Sequence, residues 1–256
     1  MVNCNGNKEE RRISERIYGN DRRRDVKRRI IGEWLKILVG LTFFAYGVHL
    51  TICAGIGLSP WDCLGTGISY HTPLNYGMAM TWMSVLILVI DFLLREKIGF
   101  GTIIDALFTG NAAQFFNDHD PFSNKLLPEF ADGNYLLRAA VLIAGLYFMA
   151  VGQYIYMKNG QGCGPRDSLL IGIGKRLPKV PIGVIEILLL AVVLLTGVFL
   201  GGPVGSGTII TTFGTGAAMQ MVFRGLRFDP RAIRHRSVQE IIAELSGGAS
   251  GLYNRI

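Results

Sequence analysis

Four cysteines and four histidines are spread over 256 residues, and no two of them share a metal-type spacing. Cys53, Cys63 and Cys163 fall in apolar sequence, where a thiol packs as a small apolar group, so free thiols are expected there and at Cys4. No nucleophile–base pair and no pair of catalytic carboxylates stands out. The spacing therefore predicts neither an enzyme nor a bound metal or cofactor. A polar linker is missing as well, which argues for one domain. No cleavable leader is expected, because the first apolar run begins only after residue 32, too late and too long for a signal h-region.

Apolar residues and glycine are abundant. Half of the chain is apolar, 33 residues are glycine, and the mean hydropathy is positive. Runs of roughly twenty residues with few charges cover Trp34–Ala54, Tyr76–Leu94, Leu136–Met157, Pro181–Leu200 and Thr208–Phe223, the signature of membrane-spanning helices. Glycine suits close helix approach in lipid. The net charge of +7 is uneven. Residues 1–32 carry ten Lys/Arg against five acids, residues 224–256 six against three, and the centre is nearly neutral. Flanking basic residues mark cytoplasmic ends, so both termini are expected inside, with anionic lipid headgroups as a compatible contact and nucleic acid excluded as the poorer account.

In order, residues 1–32 read as a basic, mostly disordered arm with helical turns near Glu9–Ile17. Residues 33–225 read as the membrane domain, and 226–256 as a basic tail. In the tail, Ser237-Val238-Gln239-Glu240 reads as a capping box opening a helix to about Leu245, and Gly247–Ile256 as a frayed end. Within the membrane domain Pro60–His71 is a short segment. Twelve residues give about 18 Å, short of a hydrocarbon core of roughly 30 Å. Thr102–Phe116 is barely long enough to span, and 117–134 reads as a loop.

The pattern then repeats. Gly40, Gly47, Gly57, Pro60, Asp62 and Gly67 recur as Gly145, Gly152, Gly162, Pro165, Asp167 and Gly172 at an offset of 105. Gly101, Thr102, Gly110, Ala112 and Gln114 recur at 106 as Gly207, Thr208, Gly216, Ala218 and Gln220. This predicts an internal duplication, with repeats at about 33–116 and 136–225. The turn 69–74 is uncharged while Arg95 and Lys97 follow the next segment. In the second half Lys175, Arg176 and Lys179 lie in the former turn and Gly201–Pro203 is uncharged. If the Pro-led segments dip in and return, each half crosses three times, the halves are inverted, and all basic turns fall inside. The expected fold is therefore an all-α, polytopic membrane bundle of six spanning and two re-entrant helices. Eight spanning helices in parallel repeats is the alternative.

Gly57-Leu58-Ser59-Pro60-Trp61-Asp62 and Gly162-Cys163-Gly164-Pro165-Arg166-Asp167 each read as a helix start inside apolar sequence. Ser59 is an N-cap, Pro60 and Pro165 sit at the first helical position, and Asp62 and Asp167 meet the positive end of the helix dipole. Helix starts at the interface of inverted repeats build solute sites, so Ser59, Pro60, Asp62, Pro165, Arg166 and Asp167 are candidate solute-binding residues. Plain helix capping is the competing account of each aspartate. Arg166 can pair with Asp167 or with the other half. Gln114 and Gln220 can line a path or join helices. Glu186 either faces the interior as a proton carrier or pairs with Lys179 or Arg176. Asp105 lies one turn into its segment, and Asp91 and Arg95 are spaced for an i,i+4 pair. His49 reads as a packed or interfacial histidine and not as a ligand. The Gly-x-Gly-Thr starts lack the lysine of a phosphate loop and read as close-packing sites.

These motifs, with Gly201-Gly202-Pro203-Val204-Gly205-Ser206-Gly207-Thr208, resemble the YczE-like branch of the YitT/YczE/YyaS bacterial membrane proteins over about residues 35–225. The resemblance implies a multi-pass protein of the bacterial cytoplasmic membrane. It brings no established substrate and no family site residues. The expected role is a transporter or channel for an unnamed small polar solute, with a membrane scaffold or regulator of a cytoplasmic partner as the alternative. The oligomeric state is left open.

Overall fold

The structure, a computed structural model, describes residues 6–120, 133–229 and 236–245, and every regular element in them is an α-helix. In chain order these are α1 (Gly6–Cys53), α2 (Pro60–His71), α3 (Tyr76–Leu93), α4 (Phe100–His119), α5 (Tyr135–Met157), α6 (Pro165–Arg176), α7 (Ile182–Phe199), α8 (Ser206–Gly225) and α9 (Val238–Leu245). Four stretches are long and apolar enough to cross a membrane: Arg28–Cys53 of α1, and α3, α5 and α7. Their outer faces are apolar and open, with Phe199 86%, Leu136 80% and Phe92 72% exposed. A water-facing surface would not carry that density of large apolar groups, whereas acyl chains cover it at no cost. The chain is a multi-pass membrane protein.

Two expectations about length are corrected. The basic arm is not mostly disordered, because α1 runs unbroken from Gly6. Arg, Lys and Glu are good helix formers, and no proline precedes Pro60 to stop them. The segment expected at Thr102–Phe116 is α4, 20 residues or about 30 Å, which removes the shortfall. Its tail, 117–119, was assigned to the loop; Gln114 donating to Asp118 (2.8 Å) and His119 stacked on Phe115 extend the helix. Residues 121–132 and the end expected at Gly247–Ile256 lie outside the described residues.

The centre of the bundle is the crossing of α1 and α5. Glycines seven apart fall 20° short of two full turns and so share one helix face. Gly40 and Gly47 on α1 meet Gly152 and Gly145 on α5 this way. A Cβ on Gly152 would lie 2.5 Å from the Phe44 nitrogen and 2.6 Å from the Gly40 oxygen; one on Gly47 would lie 2.6 Å from the Gly145 oxygen. The two backbones touch, so only glycine fits. α4 packs on α1 and α8 on α5, while α2 lies on α7 and α6 on α3.

The turns after α1 and α5 have the same shape. Gly55 and Gly160 both have φ 64°, and Gly57 and Gly162 both have φ 118°. Each turn is seated against a glycine-led helix start: Gly207 N–H donates to the Ile56 carbonyl (2.7 Å) and Gly101 N–H to that of Gln161 (2.8 Å). Thr102 Oγ1 donates to the Cys163 carbonyl (2.6 Å). This is the close packing expected of the Gly-Thr pairs. Both ends of α2 lie by the α7–α8 turn: Leu58 N–H donates to the Pro203 carbonyl, and a Cβ on Gly201 would touch Tyr70. Both ends of α6 lie by the α3–α4 turn, where Gly162 meets Gly99 and Thr102 and Lys175 pairs with Glu96 (2.5 Å).

The i,i+4 pair expected between Asp91 and Arg95 is not formed. Arg95 ends α3 in the left-handed region (φ 56°), with Glu96 N–H returning to the Asp91 carbonyl (3.0 Å). That turn carries the Arg95 side chain away from the helix face on which Asp91 is buried. The capping box at Ser237 is present, its backbone N–H meeting Glu240 Oε2 while Ser237 Oγ accepts from Glu240 N–H (each 3.3 Å). Arg236, two residues before α9, and Val238, its first residue, donate their N–H groups to the Gly160 and Ile98 carbonyls, and Ile241 is fully buried.

Candidate functional site

Pro60 and Pro165 open α2 and α6 as expected, and Ser59 caps α2. The two starts meet. The Arg166 guanidinium lies over the Trp61 ring, 4.8 Å from its centroid. These residues occupy equivalent positions, 105 apart. A guanidinium stacked on an indole gains a cation–π contact of about 1–2 kcal/mol when desolvated.

Carboxylates surround this contact. Asp62, 3% exposed, accepts from Ser59 Oγ (2.5 Å) and from the Tyr76 hydroxyl (2.8 Å). Asp167 Oδ2 accepts from Gln153 Nε2 (3.1 Å). Asp105 Oδ1 accepts from Thr109 Oγ1 (2.5 Å). Arg166 is the cation whose field reaches Asp105, Asp167 and the Tyr76–Asp62 pair. The ion pair allowed for Arg166 with Asp167 or the other half is absent among the described residues, since stacking on Trp61 holds its charge away from any carboxylate within 4 Å. Among the described residues the half-buried guanidinium fork, with five N–H donors, has no hydrogen-bond acceptor.

The other candidates divide. Gln114 Oε1 accepts from Gly77 N–H (3.2 Å) and so joins α4 to α3. It also lines an open cavity of about 540 Å³ with Cys53, Thr66, Ser69, Asn75, Tyr76 and Asn117. Tyr76 both lines this cavity and holds Asp62, so the cavity reaches the buried cluster through one side chain. Gln220 is exposed and is not part of the cluster. Glu186 is exposed on α7, and the pairing expected with Arg176 is replaced by Glu96, which faces both Lys175 and Arg176 across the α3–α6 contact. His49 is packed, as expected: fully buried, with ring nitrogens 2.5 Å from Asn117 Oδ1 and 3.0 Å from Asp120 Oδ2.

Tyr76, Gln153 and Tyr156 join the site without a sequence signal, since none belongs to a repeated motif. Cys53, Cys63 and Cys163 are free thiols. Cys53 alone of the three lines the cavity, which makes it a reporter. In a Cys4→Ser variant, a membrane-impermeant maleimide is expected to label Cys53 at least tenfold faster than the buried Cys63 and Cys163, because reaction needs solvent access. Mass spectrometry of the labelled peptides checks this, with Cys53→Ser losing the signal.

Comparisons with known proteins place the chain among membrane proteins. The profile described as a family of unknown function, DUF6198, matches residues 31–224. The uncharacterized membrane protein YczE of Bacillus subtilis is 29% identical over 201 residues, 76% of this chain and 87% of its own. YyaS of the same organism is 29% identical over 177 residues, covering 68% and 83%. An uncharacterized Haemophilus influenzae protein is 28% identical over 188 residues, covering 72% and 80%. No solved structure matches. The resemblance to YczE and YyaS read from the two Gly-x-x-Pro-x-Asp motifs is borne out.

Proposed function

We propose that this chain, which belongs to the DUF6198 family of unknown function, is a transporter or channel for a small polar solute, bound where the starts of α2 and α6 meet. The observation that carries this reading is the Trp61–Arg166 contact, a guanidinium with no ion pair among the described residues whose field reaches Asp105 and Asp167. Charges inside a membrane bundle are costly and mark solute or ion paths. The cavity floored by Tyr76 supplies a way in from one side.

The same reading treats the chain as two inverted repeats. Support comes from the equal φ values at the paired glycines, and from residues 61 and 166 touching as equivalent positions on a two-fold axis must. The α7–α8 turn meets Leu58 ahead of α2 and the Tyr70 side chain in its last turn, and the α3–α4 turn meets Gly162 ahead of α6 and the Lys175 side chain in its last turn, contacts that fit re-entrant helices. Four long apolar helices, with α4 and α8 added, complete six crossings. Both termini then lie in the cytoplasm of a bacterial cell, the basic arm and tail facing anionic lipid.

A second reading, a membrane scaffold or regulator, draws on α1 extending to Gly6, well beyond its apolar part. One experiment separates the two. Purified full-length protein is melted against panels of small amines, carboxylates, zwitterions and sugars. A solute that raises Tm in the wild type is expected to lose its effect in Arg166→Ala and in Asp62→Asn/Asp167→Asn, and to keep it when residues 1–30 are deleted. No responding solute, or a response untouched by the site variants, would reject transport in favour of the scaffold.

A further inference from the structure

Gly164 is the N-cap of α6 and carries no side chain where three oxygens converge. A Cβ built on it would lie 2.9 Å from Asp105 Oδ2, 3.7 Å from the Tyr156 hydroxyl and 3.9 Å from Asp167 Oδ2. The point beside its Cα is therefore faced by two carboxylate oxygens and a phenol, close enough that an added Cβ would push Asp105 aside. Tyr156 is only 2% exposed, and its hydroxyl has no hydrogen-bond partner among the described residues. A buried polar group without a partner costs on the order of 1–3 kcal/mol, so a structure that keeps one there has a use for it. Asp105 Oδ2 accepts no hydrogen bond either, its other oxygen being taken by Thr109.

Charge narrows the occupant. Asp62, Asp105 and Asp167 are three acids near a single guanidinium, which stacks on the Trp61 face. Asp62 has two side-chain donors, whereas Asp105 and Asp167 have one each. Asp105 Oδ2 and Asp167 Oδ2 face the same point, and a positive charge set between two carboxylates favours their ionised forms. Asp105 and Asp167 share the field of Arg166 alone, two negative charges against one, so a single further positive charge balances them, and among the described residues no three His, Cys, Asp or Glu groups are disposed to hold a more highly charged metal.

We infer that the space beside Gly164, between Asp105, Asp167 and Tyr156, is a binding site for a monovalent metal cation. It would serve as the coupling ion of the solute site, a role that rests on the transport reading, while the binding itself does not. Occupancy supplies the missing charge and gives the Tyr156 oxygen a partner.

The test is a melting series on the purified full-length protein in the absence of any solute. Na⁺ or K⁺ replaces choline at constant ionic strength from 1 to about 200 mM. Tm is expected to rise with Na⁺ or K⁺ by roughly 5 °C at saturation, because a ligand that binds only the folded state stabilises it. Gly164→Ala puts a methyl group into the space and is expected to abolish the response. Its backbone at φ −57° accepts alanine, so the variant should fold. Tyr156→Phe, which keeps the ring, is expected to raise the half-effective concentration about tenfold. Equal Tm in Na⁺, K⁺ and choline would overturn the site, including the case in which the carboxylates take only a proton. So would a response retained by Gly164→Ala or an unchanged concentration dependence in Tyr156→Phe. A cation response with no solute response leaves this site standing and fails transport alone.

Discussion

Gly152→Leu is expected to abolish the folded protein, with no monodisperse peak on size exclusion in detergent, while Gly216→Ala gives a wild-type peak. At Gly152 the new side chain starts 2.5 Å from the Phe44 nitrogen and 2.9 Å from its Cα, and 2.6 Å from the Gly40 oxygen. All three are backbone atoms of α1, which cannot rotate aside as a side-chain end can. The helices must separate by more than 1 Å over the whole crossing. Separation loosens the matching contacts at Gly47 and Gly145 as well, because all four glycines lie on one seam. Overpacking a core costs about 1–3 kcal/mol when side chains can give, and more when only backbones can. Without a hydrophobic driving force between helices in lipid, packing at such a seam is what joins the two halves. The substitution therefore removes a large share of a total that is only about 5–15 kcal/mol in ordinary domains. At Gly216 a Cβ meets nothing within 4 Å, so the same class of change is harmless there.

That contrast also shows which parts of the molecule were legible in sequence. Gly40, Gly47, Gly145 and Gly152 could be matched at one offset because backbone contact tolerates a single residue type. The Pro-led starts could be placed to the residue because proline at the first helical position is local chemistry. Pairings between distant segments carry no such mark. Tyr76 reaching Asp62 and Gln153 reaching Asp167 depend on which helices become neighbours, and a tyrosine in an apolar run reads as packing. Gln114 and Gln220 show the limit from the other side. They match across the repeat, yet α3 lies close on α4, where Gly77 meets Gly110, and so gives Gln114 a backbone partner. Gly216, the counterpart of Gly110, faces no such neighbour, and Gln220 stays exposed. A repeat in sequence thus predicted the shared backbone shape of the two turns better than the side chains that the site uses.

A cysteine at position 97 is expected to react with an impermeant maleimide only in inside-out vesicles, and one at position 204 only in intact cells. Lys97 and Val204 are both exposed and lie in the turns before α4 and α8. Were all eight membrane segments to cross, both turns would lie outside and both cysteines would react from the same side. Under the inverted arrangement they lie on opposite faces, so the expected outcome is all-or-none. Charge favours the second case. Arg95 and Lys97 precede α4, and Lys175 and Arg176 end α6 beside them, with Glu96 held between. This gathers the basic turn residues of both halves at one face, where the positive-inside rule puts the cytoplasm. The turn at Gly201–Val204 has no charge to oppose passage outward. The length of α2 agrees with that case, since about 18 Å falls short of a hydrocarbon core of roughly 30 Å. Labelling of both cysteines from outside would remove the two-fold axis through Trp61 and Arg166, and with it the reason for a solute to be held there. Opposite labelling would leave the guanidinium at a junction reached from one face at a time, which is what alternating access requires of a site.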